Sequence, residues 1–217
     1  MTLELIQGTP EWLQARCGSL GASQVALALA KTKTGWGASR ANIRAQLLAE
    51  RLTGTPCETY QNDAMRYGTE TEPEARAAYE FHFDCSLHLV GLVKHPRLTL
   101  SHASPDGLIG DDGLIEIKCP NIATHLDTIL AEQFDGKYHI QVQWQMACTG
   151  RKWCDLVSYC KQMPAEMRLF VQRVKRDDER IRELEREVEI FLREVGTVQM
   201  ALMSKYVEVA SGEAVPA

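Results

Sequence analysis

Ser104-Pro105-Asp106-Gly107-Leu108-Ile109-Gly110-Asp111-Asp112-Gly113-Leu114-Ile115-Glu116-Ile117-Lys118-Cys119-Pro120 reads as a β-hairpin. A short strand over 107–109 meets Gly110-Asp111-Asp112-Gly113, residue types that tolerate positive φ. A second strand over 114–119 follows, and Pro120 closes it because proline cannot donate to a ladder. Side chains alternate between faces along a strand, so Glu116 and Lys118 share one face while Ile115 and Ile117 bury the other. Asp106, at the mouth of the first strand, is expected beside Glu116 across the hairpin.

Two acids and an amine on one rigid surface suit metal-assisted phosphodiester hydrolysis. Carboxylate oxygens hold Mg²⁺ while leaving water in its shell. The cation acidifies a water and offsets charge in the transition state, and a second ion can stabilise the leaving oxygen. A lysine on the same strand can orient or help deprotonate the attacking water, or neutralise the scissile phosphate. A solvated surface hairpin could also carry Glu-x-Lys, but the apolar residues flanking Glu116 and Lys118 argue against solvation.

Working outward, Thr9 is a candidate N-cap with Pro10 at the first helical position, and Trp12, Leu13 and Ala15 can face a core. Arg16 falls near that helix's end. Ser23 is expected to cap a helix over 24–30, a ready anion site that Arg16 could complete; an ordinary cap and a surface arginine read equally well. The loop 31–38 holds Lys31, Lys33 and Trp36, suited either to a DNA backbone or to a solvated connection. Ser39 should cap a helix to about Thr53 with an Ile43, Leu47, Leu48 and Leu52 stripe, leaving Arg40, Arg44 and Arg51 solvated. Thr71-Glu72-Pro73-Glu74 reads as a capping box opening a helix at Thr69 or Thr71, with Arg76 as the i,i+4 partner of Glu72. On the residues alone Glu72 is a dipole-stabilising acid, and Glu70 is easily confused with it. Met65, just before that helix, reads as a core methionine or an apolar wedge against a base pair.

Strands are expected over 87–93 and 98–103, with His82, His88, His95 and His102 structural or exposed. A helix should start at Asn121 or Thr124 and run to about Gln133. In the helix over 138–146, Tyr138, Gln141 and Gln145 share one face and Ile140, Trp144 and Ala147 another. A buried glutamine needs bonded partners, so an inward Gln141 suggests a water, phosphate or backbone contact; a polar surface stripe is the other reading. Strands over 153–159 and 169–174 complete the sheet. From Arg176 a charged helix carries an Ile181, Leu184, Val188, Phe191 and Val195 seam for packing on the body or on another subunit.

Ser-Pro-Asp-Gly, a gap, then Glu-x-Lys-Cys-Pro resembles the PD-(D/E)xK nucleases, and more narrowly the phage lambda exonuclease type of viral recombinase nuclease. The likeness takes in 12–23, 68–76, the hairpin and 138–146, in the family's order. It implies a restriction-endonuclease-like α/β core, a central mixed sheet flanked by helices. It further implies 5′→3′ exonuclease action on double-stranded DNA ends, releasing mononucleotides and leaving 3′ overhangs for a single-strand annealing protein, from a ring-shaped homotrimer. Under it Asp106, Glu116 and the Ile117 carbonyl hold one or two Mg²⁺ ions (Mn²⁺ being a possible substitute), with Glu72 as the third acid. Lys118 positions the attacking water, Gln141 and Tyr138 flank the site, and Arg16, Ser23 and Ser104 hold the 5′-phosphate, with Lys31 and Lys33 assisting on DNA. Another nuclease of the same fold, a site-specific or structure-specific endonuclease, is the nearer alternative. A non-catalytic DNA-end clamp should have lost the Asp, Glu or Lys, and all three are present.

The 217 residues, 45% of them apolar, are most economically one nuclease domain over 1–206, with a flexible tail over 207–217. No apolar run approaches membrane-spanning length and Met1-Thr2-Leu3-Glu4 is no signal peptide, so no membrane partner is expected and a cytoplasmic setting is. Seven cysteines without a Cys-x-x-Cys pair fit free thiols better than a disulfide framework or zinc knuckle. The net charge of −5 hides a basic first quarter, and a metal-bridged phosphate site needs less bulk positive charge than a groove binder.

Overall fold

A computed structural model describes residues 2–3, 5–33, 35–57 and 62–208. The chain opens with β1 (Thr2–Leu3), α1 (Pro10–Arg16), β2 (Leu20–Gly21) and α2 (Ala22–Ala28). The small hairpin of β3 (Lys31–Thr32) and β4 (Gly35–Trp36) precedes α3 (Ala38–Thr53) and α4 (Asp63–Phe83). Five strands follow, β5 (Leu87–His88), β6 (Leu92–Lys94), β7 (Ser101–Ala103), β8 (Gly107–Ile109) and β9 (Gly113–Lys118). Then come α5 (Ile122–Ala131), α6 (Gly136–Thr149), β10 (Trp153–Tyr159), β11 (Leu169–Lys175) and α7 (Asp178–Met203).

The main sheet has the order β11-β10-β9-β8-β5, with β9 and β10 parallel and the other pairs antiparallel. It is mixed and covered on both faces, which is why β9 is buried almost throughout. Alternation sends Ile115 and Ile117 to one face, where they pack with Ala75 and Tyr79 of α4. Leu114 points the other way, into a cluster with Val142 and Met146 of α6 and Ile181 of α7. Glu116 and Lys118 therefore fall on the α6 side. A second sheet, β1-β6-β7-β2, lies by a cluster in which Leu20, Val25, Leu47, Trp144, Val188 and Phe191 join α2, α3, α6 and α7. With neighbours on every side, α6 is buried continuously from Gln141 to Cys148.

The caps at Thr9, Asn121 and the segment before α7 form as their residue types imply. Four sequence expectations are corrected. Helix α4 begins at Asp63, where the Asn62 side chain accepts the Met65 N–H at 2.8 Å; Pro73 lies inside the helix and Thr71 is buried rather than capping. The Asn62 cap sets the start, and the packing of Ala75 and Tyr79 on the sheet carries the helix through the proline. Helix α2 is capped at Gly21, whose N–H the Gln24 side chain accepts at 3.1 Å, and Ser23 is an exposed residue of the first turn. Helix α3 starts at Ala38, and the Ser39 hydroxyl instead donates to the Leu27 carbonyl at 2.9 Å. The expected strand over 87–93 is interrupted over 89–91, where Gly91 lies so close to the Leu5 backbone that a Cβ would stand 1.7 Å from the Leu5 carbonyl oxygen. Its halves, β5 and β6, join different sheets.

Burial departs from expectation at several residues. Leu13, Leu52 and Met65 are exposed, so Met65 is not a core methionine. Arg40, expected in solvent, is buried between the Trp36 and Phe191 rings, with one amino group on the Ala28 carbonyl and another on Glu194. Arg51 turns back to donate to the Gly18 carbonyl at 2.8 Å. His95 and His102 are buried. All seven cysteines are free thiols, and no described helix is long and apolar enough to cross a membrane. The proposed tail lies outside the described residues from 209 onward.

Phe191 is fully buried where α7 meets α2, α3 and α6. Phe191→Ala is expected to destabilise the fold by about 3–5 kcal/mol. Urea unfolding should show a lower midpoint with an unchanged slope.

Candidate active site

The pairing of β8 with β9 runs through Gly107↔Ile115, and its continuation sets Asp106 opposite Glu116. Asp106 prolongs the ladder with its side chain. Its N–H donates to the Ile115 carbonyl at 3.2 Å, and its Oδ2 accepts the Ile117 N–H at 2.6 Å. A residue in a strand turns its N–H and C=O to the same edge, so the Ile117 carbonyl faces the edge where β8 has ended.

Glu116, only 4% exposed, is held by three donors. Its Oε1 accepts from Lys118 Nζ at 2.5 Å and from Gln141 Nε2 at 2.6 Å, and its Oε2 accepts from Gln145 Nε2 at 2.5 Å. A carboxylate can only accept, so both glutamines must present their NH₂ groups to it. That leaves the Gln145 Oε1 turned away from Glu116, buried and without a partner among the described residues.

Burial pushes the Asp106 carboxyl well above the usual range, and Glu116 and then Glu72 push the same way against Lys118 and the Ile117 N–H. Burial alone would lower the Lys118 ammonium, but Glu116 and Asp106 hold it above the ordinary lysine range, so it is a cation. Glu72 is raised by burial despite its ion pair with Arg76 at 3.1 Å, the predicted i,i+4 contact. Burial, with Glu72 and Asp106 nearby, raises the neighbouring Cys119 thiol to about 12.

Among the described residues, no three His, Cys, Asp or Glu side chains converge as a ready metal cage. Asp106 and Glu116 come together, while Glu72 stands close enough to be felt by both and remains on Arg76. Glu70 is exposed. Two buried acids and a backbone carbonyl at an open sheet edge form an all-oxygen set with surplus negative charge. Such a set fits a hard divalent cation such as Mg²⁺, which takes one or two carboxylates and keeps waters.

A cleft of about 230 Å³ joins this edge to the amino-terminal helices. Glu116, Lys118, Gln141 and Gln145 line one part, and Arg16, Ser23, Ser104, His102 and Trp12 another. The Arg16 guanidinium lies 3.9 Å over the Trp12 ring and donates from Nε to His102 Nε2 at 3.0 Å. The Trp12 Nε1–H donates to the Gly91 carbonyl at 2.7 Å, with Ser104 Oγ at 3.3 Å. Tyr138 is outside the lining but carries Lys118 Nζ 5.1 Å from its ring. Lys31 and Lys33 are also outside it: both are exposed on the β3–β4 hairpin, and Lys31 pairs with Glu187 at 2.7 Å.

His102, Trp12 and Gln145 are the site residues that sequence reasoning passed over. His102 on β7 and Ser104 just past its end are two apart in extended chain and so tend to the same side, which was the available signal. Gln145 was placed on the Gln141 face, and only the burial of α6 shows that both reach Glu116.

A mixed sheet between helices, with two acids and a lysine at the end of a central hairpin, is the architecture of the lambda-exonuclease-like nucleases. Residues 11–152 match the YqaJ-like viral recombinase domain, and the chain belongs to that family. It is similar to the alkaline exonuclease LHK-Exo from Laribacter hongkongensis, at 47% identity and a TM-score of 0.86, over 93% of this chain and 100% of that one. The structure of LHK-Exo in complex with dAMP matches at 47% identity and a TM-score of 0.87, with the same coverage. A phage-related exonuclease from Haemophilus somnus 129PT shares the fold at 14% identity and a TM-score of 0.71, over 85% of this chain and 96% of that one. No curated protein matches the chain.

A carboxyl whose folded-state pKa exceeds its unfolded value favours folding at low pH, and that contribution is lost as pH rises through the folded value. Asp106→Asn should therefore stabilise the metal-free protein at neutral pH, and the gain should vanish in acid below the usual carboxylate range. Added Mg²⁺ should raise the melting temperature of the wild type and not that of the variant. Thermal melts with Mg²⁺ or EDTA across pH check both.

Proposed function

We propose that this protein is a divalent-cation-dependent exonuclease that degrades one strand of duplex DNA 5′→3′ from a phosphorylated end. The observation that carries this reading is the shared cleft: Glu116 and Lys118 line the same cavity as an arginine that has no carboxylate partner among the described residues, with Asp106 just behind the lining on the Ile117 N–H. A terminal phosphate on Arg16, Ser23 and Ser104 would set the next phosphodiester against Lys118. The 47% identity to an alkaline exonuclease whose structure has been determined with dAMP, a nucleoside monophosphate, supports mononucleotide release.

Asp106, Glu116 and the Ile117 carbonyl would hold one or two Mg²⁺ or Mn²⁺ ions, with Glu72 as the nearest further acid. When bound, such a cation supplies positive charge opposite the phosphoryl oxygens and acidifies water. The remaining work falls to the chain. Lys118, charged and braced by Glu116, donates to the attacking water or to a non-bridging phosphate oxygen and fixes the line of approach. Gln141 and Gln145 keep the Glu116 carboxylate from rotating. Water's oxygen bonds to phosphorus as the P–O3′ bond breaks, the departing 3′-oxygen takes up a proton, and the shortened strand carries a new 5′-phosphate for the next cycle.

The same reading includes a 3′ overhang as the product handed to a single-strand annealing protein, a ring-shaped homotrimer that threads DNA, and action in the cytoplasm of a bacterial host. An assay on linear duplex with 5′-phosphate or 5′-hydroxyl ends, in Mg²⁺ or EDTA, with closed circular duplex alongside, tests the core of it. Mononucleotides should appear from phosphorylated linear DNA in Mg²⁺ only, and cutting of the closed circle would instead make the protein an endonuclease. Lys118→Ala is expected to lower the cleavage rate by about 10²–10⁴-fold while DNA binding by gel shift persists. Cleavage near the wild-type rate would remove the lysine from the mechanism.

A further inference from the structure

Arg16 shares with Arg51 a pKa lowered by burial and the lack of an ion pair among the described residues, and differs in lining the cleft. At Arg16 the lowering is only partly opposed by Glu50. The Arg16 Nε–H goes to an imidazole and its flat face to Trp12. Neither terminal amino group has a protein acceptor among the described residues, so the two-pronged end of the guanidinium is open to the cleft. A cation withdrawn from water without a counter-charge is costly unless an anion arrives to meet it.

His102 supplies the acceptor without supplying charge. It is 2% exposed on β7. Arginine can only donate, so His102 Nε2 must carry the lone pair. The proton then sits on Nδ1, which lies 2.9 Å from Ser19 Oγ and donates to it. Burial, with Arg16 and Lys94 nearby, drives the imidazole down to about 3, which keeps it neutral. Space at the pair is tight: a Cβ on Gly21 would stand 3.2 Å from His102 Nε2 and 3.4 Å from Arg16 Nη2.

We infer that His102, fixed as one tautomer by Ser19, is a positioning residue that aims the Arg16 fork at a terminal phosphate while leaving its positive charge uncompensated, and so sets the preference for 5′-phosphorylated ends. This deepens the reading above and rests on Arg16 being the phosphate ligand. A carboxylate in the same place would orient the guanidinium equally well but would cancel the charge that attracts the ligand. A neutral acceptor does one without the other.

The test is the ratio of kcat/KM on duplex with 5′-phosphate ends to that on 5′-hydroxyl ends, for the full chain with Mg²⁺. His102→Leu, which offers no acceptor, should lower the ratio about 10- to 100-fold. His102→Gln, a neutral acceptor, should restore most of it. His102→Glu, an acceptor that bears charge, should lose it as His102→Leu does. The Gln and Glu variants are nearly isosteric, so their comparison decides the matter even if the leucine variant fails to melt cooperatively. Ser19→Ala, which removes only the tautomer lock, should lower the ratio part of the way. Equal losses on both kinds of end, or a ratio unchanged in the leucine and glutamate variants, would overturn the inference. Arg16→Ala separates the two levels. If the wild type shows no preference, or Arg16→Ala retains it, the phosphate reading of Arg16 fails and the inference falls with it. If Arg16→Ala loses the preference and every His102 variant keeps it, only the role of His102 is wrong.

Discussion

Asp106 and Glu116 bring two acids to one strand edge that water hardly reaches, and the surrounding structure can be followed as the answer to that placement. Glu116 has donors on both oxygens, from Lys118 on its own strand and from Gln141 and Gln145 on α6. Asp106 has the Ile117 N–H, available because β8 stops before β9 does. Two glutamines can face the sheet only if α6 is buried deeply enough to be pinned, which requires its Trp144 seated against Val188 and Phe191 of α7. The far side of β9 needs Ile115 and Ile117 seated on Tyr79 and Ala75 of α4. Hydrophobic packing on two faces thus holds in place a polar edge that would be unfavourable alone.

The arginines show how selectively charge is handled. Arg40, Arg76 and Arg173 each meet a carboxylate, on Glu194, Glu72 and Asp155 respectively. Arg40 and Arg173 also lie over tryptophan rings, as Arg16 does. Stacking on an aromatic face is therefore common in this chain and has no special bearing on ligands. What separates Arg16 from the other three is the neutral imidazole in place of an acid.

Much of the architecture could be read from residue order, because the signals were local. The hairpin followed from period-2 alternation bounded by turn residues, and α7 from a 3-4-3-4 apolar seam. Where long-range contacts decide, the sequence was silent or misleading. Pro73 looked like a first-turn residue because the effective cap, Asn62, lay eleven residues upstream. Between β5 and β6, which join different sheets, Gly91 packs on the backbone of Leu5, more than eighty residues away. Arg40 looked solvated by helical position, yet Trp36, Phe191 and Glu194 enclose it from other elements. The acid–lysine edge was legible because its members are neighbours in sequence. The His102–Arg16–Ser19 relay was not, since it joins strand β7 to the end of α1 and the turn after it.

The proline inside α4 has a mechanical corollary. With no N–H at Pro73, the Thr69 carbonyl loses the donor that would complete its turn, and the Thr71 hydroxyl within that turn is enclosed without a partner among the described residues. Glu72 therefore rides on the rung-deficient stretch of an otherwise regular 21-residue rod. Elastic compliance concentrates where a rung is missing, so of Glu72, Asp106 and Glu116, Glu72 is the one whose backbone yields most cheaply, while the other two are clamped by the sheet.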